Sequence, residues 1–268
     1  MHLQLRRTLV QQNIIELYLI VIMKRIIFFI IIIVGIKNVA AQKIVTNFNQ
    51  VWGGFMNQTR LSTKWGFWAE AQLRTNENFV DNLSTSILRV GATYYLNDYT
   101  KLTAGYAYVN SFSPANGAKI SIPEHRPWQQ IQWHTKYPKL RLMQWFRVEE
   151  RYRKRLLNAN ELDNTSSFNW RIRYNFLMQV PLSKKLFEPK GFSFIVNDEV
   201  HMNFGKQIVY NTFDQNRFFV GLAYQTTKTD NIQFGYMNLF TQLAAGNAYR
   251  SLHVARVNYF HNLDLRKK

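Results

Sequence analysis

Residues 168–180 read Phe-Asn-Trp-Arg-Ile-Arg-Tyr-Asn-Phe-Leu-Met-Gln-Val, and this stretch decides the fold. Successive side chains of a β-strand point to opposite faces. One face here is aromatic and aliphatic from Phe168 to Val180, whereas the other carries Asn169, Arg171 and Arg173. A tilted strand crosses a bilayer with about nine to eleven residues, so this stretch is long enough. The pattern therefore predicts a membrane-crossing strand with its apolar face toward lipid and its polar face toward a lumen.

The same alternation recurs along the chain and predicts about eleven strands. They lie near residues 45–60, 65–75, 84–96, 100–112, 127–137, 140–155, 167–180, 191–203, 214–226, 231–242 and 249–263. Tight connections at 61–64, 97–100, 137–139 and 228–231 alternate with longer polar ones at 76–83, 113–126, 156–166 and 205–213. Short turns on one rim and long loops on the other are typical of outer-membrane proteins, the short rim being periplasmic. The prediction is an all-β, antiparallel, up-and-down transmembrane β-barrel of 10–12 strands.

The odd strand count needs an explanation, because barrels of this type use an even number of strands with both ends usually periplasmic. Either an ascending strand lies near residues 42–49, or the N-terminal segment threads the lumen. Strand numbers of 10, 11 and 12 all stay open.

The N-terminal region predicts export. Lys24 and Arg25 precede an apolar run at residues 26–36 and a small-residue end, Val39-Ala40-Ala41. This is the pattern of a secretory signal peptide over residues 1–41, cleaved before Gln42. An uncleaved anchor is the alternative, but the run is shorter than the roughly twenty residues that span a bilayer. Residues 1–22 do not fit a signal and are interpreted as lying upstream of a true start at Met23, so residues 42–268 form the barrel domain.

Composition narrows the class of partner. The chain has 20 Phe, 14 Tyr and 7 Trp, no cysteine and a net charge of +18. Without cysteine there is no disulfide framework and no thiolate chemistry. Export, with the basic residues dispersed along the strands, argues against nucleic acid. Membrane lipids, lipopolysaccharide and small anionic solutes are the expected partners.

A soluble, lipocalin-like cup is the alternative fold, but it would have to pack its aromatic face into one small interior.

Face assignment predicts a ladder of charged side chains inside the lumen. Its members are Glu70, Arg74, Arg89, Arg147, Glu149, Arg151, Arg171, Arg173, Glu199 and Arg217. Guanidinium and carboxylate groups away from bulk water should interlock in charge-assisted pairs. The ladder could form a polar plug that braces the barrel, or it could line a narrow anion-preferring path. Asp198 falls on the outward face, and its role is not explained.

Two further groups of residues are candidates for chemistry. Glu124, His125, Arg126 and Trp128 are predicted to form an outer-rim loop that salt-bridges into the lumen mouth. Their spacing matches no metal site, and no cofactor or metal is expected.

The last predicted strand carries Ser251 and His253 on one face. This spacing puts them about 7 Å apart, too far for a direct hydrogen bond. Serine and histidine are nevertheless the residue types that a hydrolase uses. A lipid-modifying enzyme resembling a phospholipase is for this reason kept as the alternative to a non-enzymatic outer-membrane barrel.

Four segments together resemble a known family. They are residues 124–130 (EHRPWQQ), 146–152 (FRVEERY), 213–224 (FDQNRFFVGLAY) and 235–238 (GYMN). They are similar to segments of the domain-of-unknown-function 2490 family, and the resemblance covers residues 42–268. It implies an outer-membrane β-barrel of Gram-negative bacteria and no established activity. The expected function is thus a narrow channel, or a plugged structural or surface-binding barrel.

Overall fold

The computed structural model describes residues 43–76, 82–112, 120–182 and 187–266. Within these ranges eleven strands close into one barrel, which confirms the predicted fold class. The strands are β1 (Ile44–Arg60), β2 (Trp65–Thr75), β3 (Leu83–Tyr95), β4 (Thr100–Ser111), β5 (Ile122–Tyr137), β6 (Leu140–Asn158), β7 (Glu161–Pro181), β8 (Phe192–Phe204), β9 (Phe213–Gln225), β10 (Asp230–Gln242) and β11 (Ala248–Asp264). The predicted signal peptide, the start at Met23 and the cleavage before Gln42 lie outside the described residues.

No helix in the described ranges is long and apolar enough to cross a membrane.

The barrel closes through a parallel pair. Each strand pairs antiparallel with its chain neighbour, whereas β1 and β11 run parallel from Ile44 opposite Ala248 to Arg60 opposite Asp264. The odd number of strands thus needs no additional element. Residues 44–49, where the sequence suggested a separate ascending strand, continue β1.

The two rims differ in their connections. Four connections of two to four residues, 61–64, 96–99, 138–139 and 226–229, join strands at one rim, which we call the short-turn rim; the ten-residue connection 182–191 lies there too. Residues 76–82, 112–121, 159–160, 205–212 and 243–247 join them at the long-loop rim. The predicted loop at 156–166 is wrong: β6 and β7 continue to a two-residue turn, and their pairing extends to Asn158 opposite Glu161. Both faces of this hairpin carry polar side chains, so the alternation of polar and apolar residues did not reveal its strands.

Outward side chains are largely apolar. Leu88 is 61% exposed and Val90 58% exposed on the outer face of β3, with Phe146, Trp170 and Tyr174 on β6 and β7 also exposed. Three large aromatic side chains instead point inward and are buried: Trp52, Tyr95 and Trp128. Strand parity, rather than distance from a strand end, determines which side an aromatic ring faces.

Cross-strand glycine pairs let large inward rings lie against the wall. Gly91 faces Gly105 across β3 and β4, and Gly105 in turn faces the buried Trp128 on β5. A Cβ on Gly105 would lie 2.0 Å from the Val90 carbonyl oxygen, and one on Gly91 would lie 3.0 Å from the Trp128 ring. A side chain at Gly105 would require the backbone to move, whereas one at Gly91 would require its neighbours to shift by a few tenths of an ångström.

Gly105→Ala should therefore lower the free energy of unfolding by about 1–3 kcal/mol, the usual cost of overpacking. The urea concentration at the midpoint of unfolding measures this loss, with heat-modifiable gel migration reporting the folded fraction. Gly53→Ala is the matched control, since a Cβ on Gly53 meets nothing within 4 Å. Equal midpoints for the two variants would contradict the close approach.

Candidate lumen site

One buried carboxylate is the centre of the lumen. Glu149 on β6 is fully buried. Arg171 Nε donates to its Oε2 (2.9 Å), and Arg173 Nη1 donates to its Oε1 (2.6 Å), both from β7. Guanidinium nitrogens of Arg126, Arg147 and Arg89 lie 3.6–3.8 Å away. Within the described residues, five guanidinium groups from four strands therefore surround one carboxylate; we call it the hub.

A second buried carboxylate binds the arginines on the long-loop side of the network. Glu124 on β5 accepts from Arg126 Nε (2.9 Å), Arg151 Nε (2.7 Å) and Arg153 Nε (3.1 Å). Glu124 is 2% exposed, whereas the Arg153 side chain is 49% exposed. Arg126 contacts both Glu124 and the hub Glu149, so it joins the two clusters.

A third carboxylate extends the network to β8 and β9. Glu199 accepts from Arg173 Nε (2.6 Å), and Arg217 Nη1 lies 3.7 Å from its other oxygen. His201 Nε2 lies 2.9 Å from Glu199 Oε1. Because Arg173 contacts both Glu149 and Glu199, it connects the hub to this side of the barrel.

The network carries more positive than negative charge. Counting only described residues, eight arginines share five carboxylates: Arg89, Arg126, Arg147, Arg151, Arg153, Arg171, Arg173 and Arg217 with Glu70, Glu124, Glu149, Glu199 and Asp214. Two more lumen arginines lie over aromatic rings instead, Arg74 over Trp52 (3.7 Å) and Arg256 over Phe219 (3.5 Å). Cation–π contact stabilises these two but does not neutralise them.

An apolar cluster fills the opposite wall of the lumen. Its buried members are Trp52, Ile195, Phe219, Ala223, Met237, Leu239 and Val254, from β1 and β8–β11. The ionic network thus lies on β2, β3 and β5–β9 and the apolar cluster on β1 and β8–β11, so β8 and β9 contribute to both.

Cavities that share some of their lining residues lie along the lumen. One of about 530 Å³ lies toward the short-turn rim and is lined in part by Trp145, Arg147 and Arg256. Another of about 1090 Å³ lies toward the long-loop rim and includes Arg153 and Arg250. Between them is a small cavity of about 160 Å³, bordered by Arg89, Arg126 and Arg171 among others. The arginine–glutamate network lies between the two large chambers.

All ten members of the predicted ladder lie on the inner face. Nine contact carboxylates or guanidinium groups in the network, and Arg74 lies beside it, donating to Gln72 Oε1 (2.9 Å). Sequence reasoning missed Asp214, which accepts from Arg171 Nη1 (3.1 Å), and it missed Arg153. Arg153 has the same parity as the inward residues of β6, so extending the alternation into the β6–β7 hairpin would have found it. On β9 the odd-numbered residues point inward, so the even-numbered Asp214 gave no such signal.

The predicted outer-rim loop is corrected. Glu124, His125, Arg126 and Trp128 lie within β5, not in a loop. Glu124, Arg126 and Trp128 point inward and are buried, so they belong to the lumen network. His125 points outward, and its Nδ1 is hydrogen-bonded to the Tyr106 hydroxyl. Pro127 interrupts pairing with β6 but still lies opposite Tyr106 on β4, so β5 extends through part of the predicted loop back to Ile122.

Ser251 and His253 share the outer face of β11, and each has a partner on β10. Asn238 Nδ2 donates to Ser251 Oγ (3.0 Å), and the Tyr236 hydroxyl is hydrogen-bonded to His253 Nδ1 (2.7 Å). Asp198, also outward, accepts from Asn216 Nδ2 (2.7 Å). Neighbouring strands thus satisfy these outward polar groups, and the contacts pair Ser251 with Asn238 rather than with His253.

A small charged cluster lies at the short-turn rim. Arg60 Nη1 donates to Asp98 Oδ1 (2.6 Å), and Arg266 Nη1 lies 3.3 Å from the same oxygen. The hydrogen bond and charge of Arg60 hold the pKa of the Asp98 carboxyl below its usual range. Because the Asp98 side chain is exposed, the cluster joins the turn at 96–99 to the end of β1 and the residues after β11 without adding much stability.

Metal chemistry has no visible site. Across the described ranges, no three His, Cys, Asp or Glu side chains converge so as to hold a metal ion.

A family model described as "Protein of unknown function (DUF2490)" matches residues 49–250. The chain belongs to the DUF2490 family. The matched range includes every charged residue of the lumen network, from Glu70 to Arg217. A comparison with curated proteins finds no match. A similar solved structure is titled as the NanC porin in a rhombohedral crystal form; it is 16% identical, with 71% of this chain and 87% of that chain covered and a TM-score of 0.41.

Proposed function

We propose that this DUF2490 member is a non-enzymatic outer-membrane barrel whose lumen is braced shut at its middle by the arginine–glutamate network. The observation that carries the proposal is the fully buried Glu149, bound or approached by guanidinium groups from β3, β5, β6 and β7. Such a group is stable away from water only when its charge is compensated on all sides. Compensation from four strands draws the barrel walls together across the lumen.

Membrane residence is supported by the outer surface. Large apolar side chains are exposed on strands all around the barrel, among them Leu73, Leu88, Leu102, Trp170 and Val257. A soluble protein seldom exposes a contiguous apolar surface on this scale, whereas lipid covers it without cost. In this proposal the short-turn rim is periplasmic and the predicted signal peptide directs export.

The long-loop rim is the proposed site of surface contacts. The β6–β7 hairpin extends beyond the neighbouring strands and carries Arg153, Lys154 and Arg155 near its tip. Arg155 is exposed, Lys154 is partly exposed, and the Arg153 side chain is half exposed. Such cations suit the phosphates of lipopolysaccharide. Membrane lipids and lipopolysaccharide are therefore the proposed partners, and the surplus positive charge of the lumen suits small anionic solutes.

The enzyme alternative gains no support from the geometry. A hydrolase of this kind needs its serine hydrogen-bonded to a histidine that a third group orients. Here Ser251 is paired with Asn238, and His253 with Tyr236. The structural role of these pairs is to satisfy polar groups on a lipid-facing surface.

Planar-bilayer recordings test the braced lumen. The purified, folded protein should insert without producing stable conductance steps, because charged and aromatic side chains fill mid-barrel. Heat-modifiable gel migration of the same sample establishes that the inserted protein is a folded barrel. Stable, anion-selective steps would contradict closure and would favour the narrow anion-preferring path instead.

A further inference from the structure

The small central cavity has an unusual lining. Its volume is about 160 Å³, and among the described residues it is bordered by eight arginines and one carboxylate, Glu124. The arginines are Arg74, Arg89, Arg126, Arg151, Arg153, Arg171, Arg173 and Arg217. The other lining side chains are uncharged. The 530 Å³ chamber, by comparison, spreads its lining cations over a volume about three times as large.

The one lining carboxylate does not neutralise the cavity. Glu124 is already shared by Arg126, Arg151 and Arg153. Glu70, Glu149, Glu199 and Asp214 also pair with lining arginines but do not line the cavity. Even with all five carboxylates counted, the eight lining arginines leave three positive charges in excess. Like charges crowded in a poorly solvated space repel strongly. The cavity therefore carries a net positive potential that an anion would relieve.

Two buried donors in the lining have no partner. Arg89 Nε and Arg74 Nε are both buried and make no hydrogen bond in the part of the chain that the structure describes. Arg89 is 4% exposed, and its Nη1 is engaged with Glu70. Arg74 lies against Trp52 and uses Nη2 to bind Gln72. Buried N–H groups of guanidinium are expected to have an acceptor.

We propose that this cavity binds a tetrahedral divalent oxyanion of the phosphate or sulfate class, with Arg74 and Arg89 among its donors. The volume suits one such ion with a little water, since a water molecule in the liquid occupies about 30 Å³. Several guanidinium groups arranged around one point are the protein's usual means of holding such an oxyanion.

The oxyanion enters as a soluble solute from the long-loop rim. Arg74, Arg153 and Gln215 line both the small cavity and the 1090 Å³ chamber at that rim. The barrel wall separates the cavity from the surrounding membrane, so a lipid headgroup phosphate does not reach it. This inference rests on the proposed function in one respect: the network that braces the lumen also holds the arginines around the cavity.

Isothermal titration of the folded barrel with sodium sulfate, at constant ionic strength in detergent, tests the site. Wild-type protein should bind one sulfate, and Arg74→Gln should weaken binding about tenfold by removing one charge-assisted donor. Arg74 has no carboxylate partner in the described structure, so its removal leaves no acid unpaired. Arg256→Gln is the matched control: it is a lumen arginine over an aromatic ring that lines the other chamber.

Each outcome decides for or against the site. No sulfate binding at millimolar concentration would overturn it, and so would equal weakening by Arg74→Gln and Arg256→Gln, since that indicates only general attraction. Inorganic phosphate should compete with sulfate, whereas vesicles of anionic phospholipid should not; competition by the vesicles would place the phosphate site on the outer surface. Conductance tests closure independently, so a closed barrel that binds no sulfate overturns this inference alone.

Discussion

Glu149→Gln should destabilise the folded barrel by about 3–5 kcal/mol, the usual cost of removing one partner from a buried ion pair. Glutamine has nearly the same shape as glutamate, so packing around the site is kept. The variant loses the negative charge that Arg171 and Arg173 bind directly and that three further guanidinium groups face. Those cations would then repel one another with no central anion, and the loss should exceed that of any surface charge.

Urea titration of barrel tryptophan fluorescence in lipid or detergent gives the free energy of unfolding. Glu150→Gln is the control, because Glu150 is the next residue and points outward, where its nearest partner is Gln129 Nε2 at 3.5 Å. The control should stay within about 0.5 kcal/mol of wild type. Similar losses at both positions would mean that the hub does not stabilise the barrel.

Trp128→Ala should both destabilise the barrel and open it. The side chain is 1% exposed, its ring lies against Gly91, and Arg147 Cζ is 4.5 Å from the ring centroid. Replacing a buried tryptophan by alanine costs about 3–5 kcal/mol. It also removes bulk from mid-lumen at the level of Glu149, which faces Trp128 across β5 and β6. We expect conductance steps in planar bilayers where wild type gives none.

Trp170→Ala provides the comparison, since Trp170 is 40% exposed on the outer face of β7. This variant should remain closed and should lose less stability, because the ring does not occupy the lumen. A closed Trp128→Ala barrel of wild-type stability would show that Trp128 neither fills nor braces the interior. A conducting Trp170→Ala barrel would indicate leakage from poor folding.

The alternation of side chains carried most of the prediction. From Phe168 to Val180 it separated Trp170 and Tyr174, which are exposed, from Arg171 and Arg173, which are buried. This worked because strand parity is a local property and needs no knowledge of neighbouring strands. It failed where composition resembled a loop, as at Glu124, whose strand contains two prolines, and in the β6–β7 hairpin, whose charged side chains lie on both faces.

By itself, the sequence determined that the chain forms alternating strands, which side of each strand is polar, and that arginine outnumbers acid in the lumen. Only the tertiary structure decided which carboxylate is shared by which arginines, because cross-strand register and closure between β1 and β11 bring together residues far apart in the chain. Glu149 became the hub through contacts from four strands. Arg74 and Arg89 border one small cavity, each with an unpartnered Nε, for the same reason. A local sequence pattern carries no information about which residues lie across the lumen.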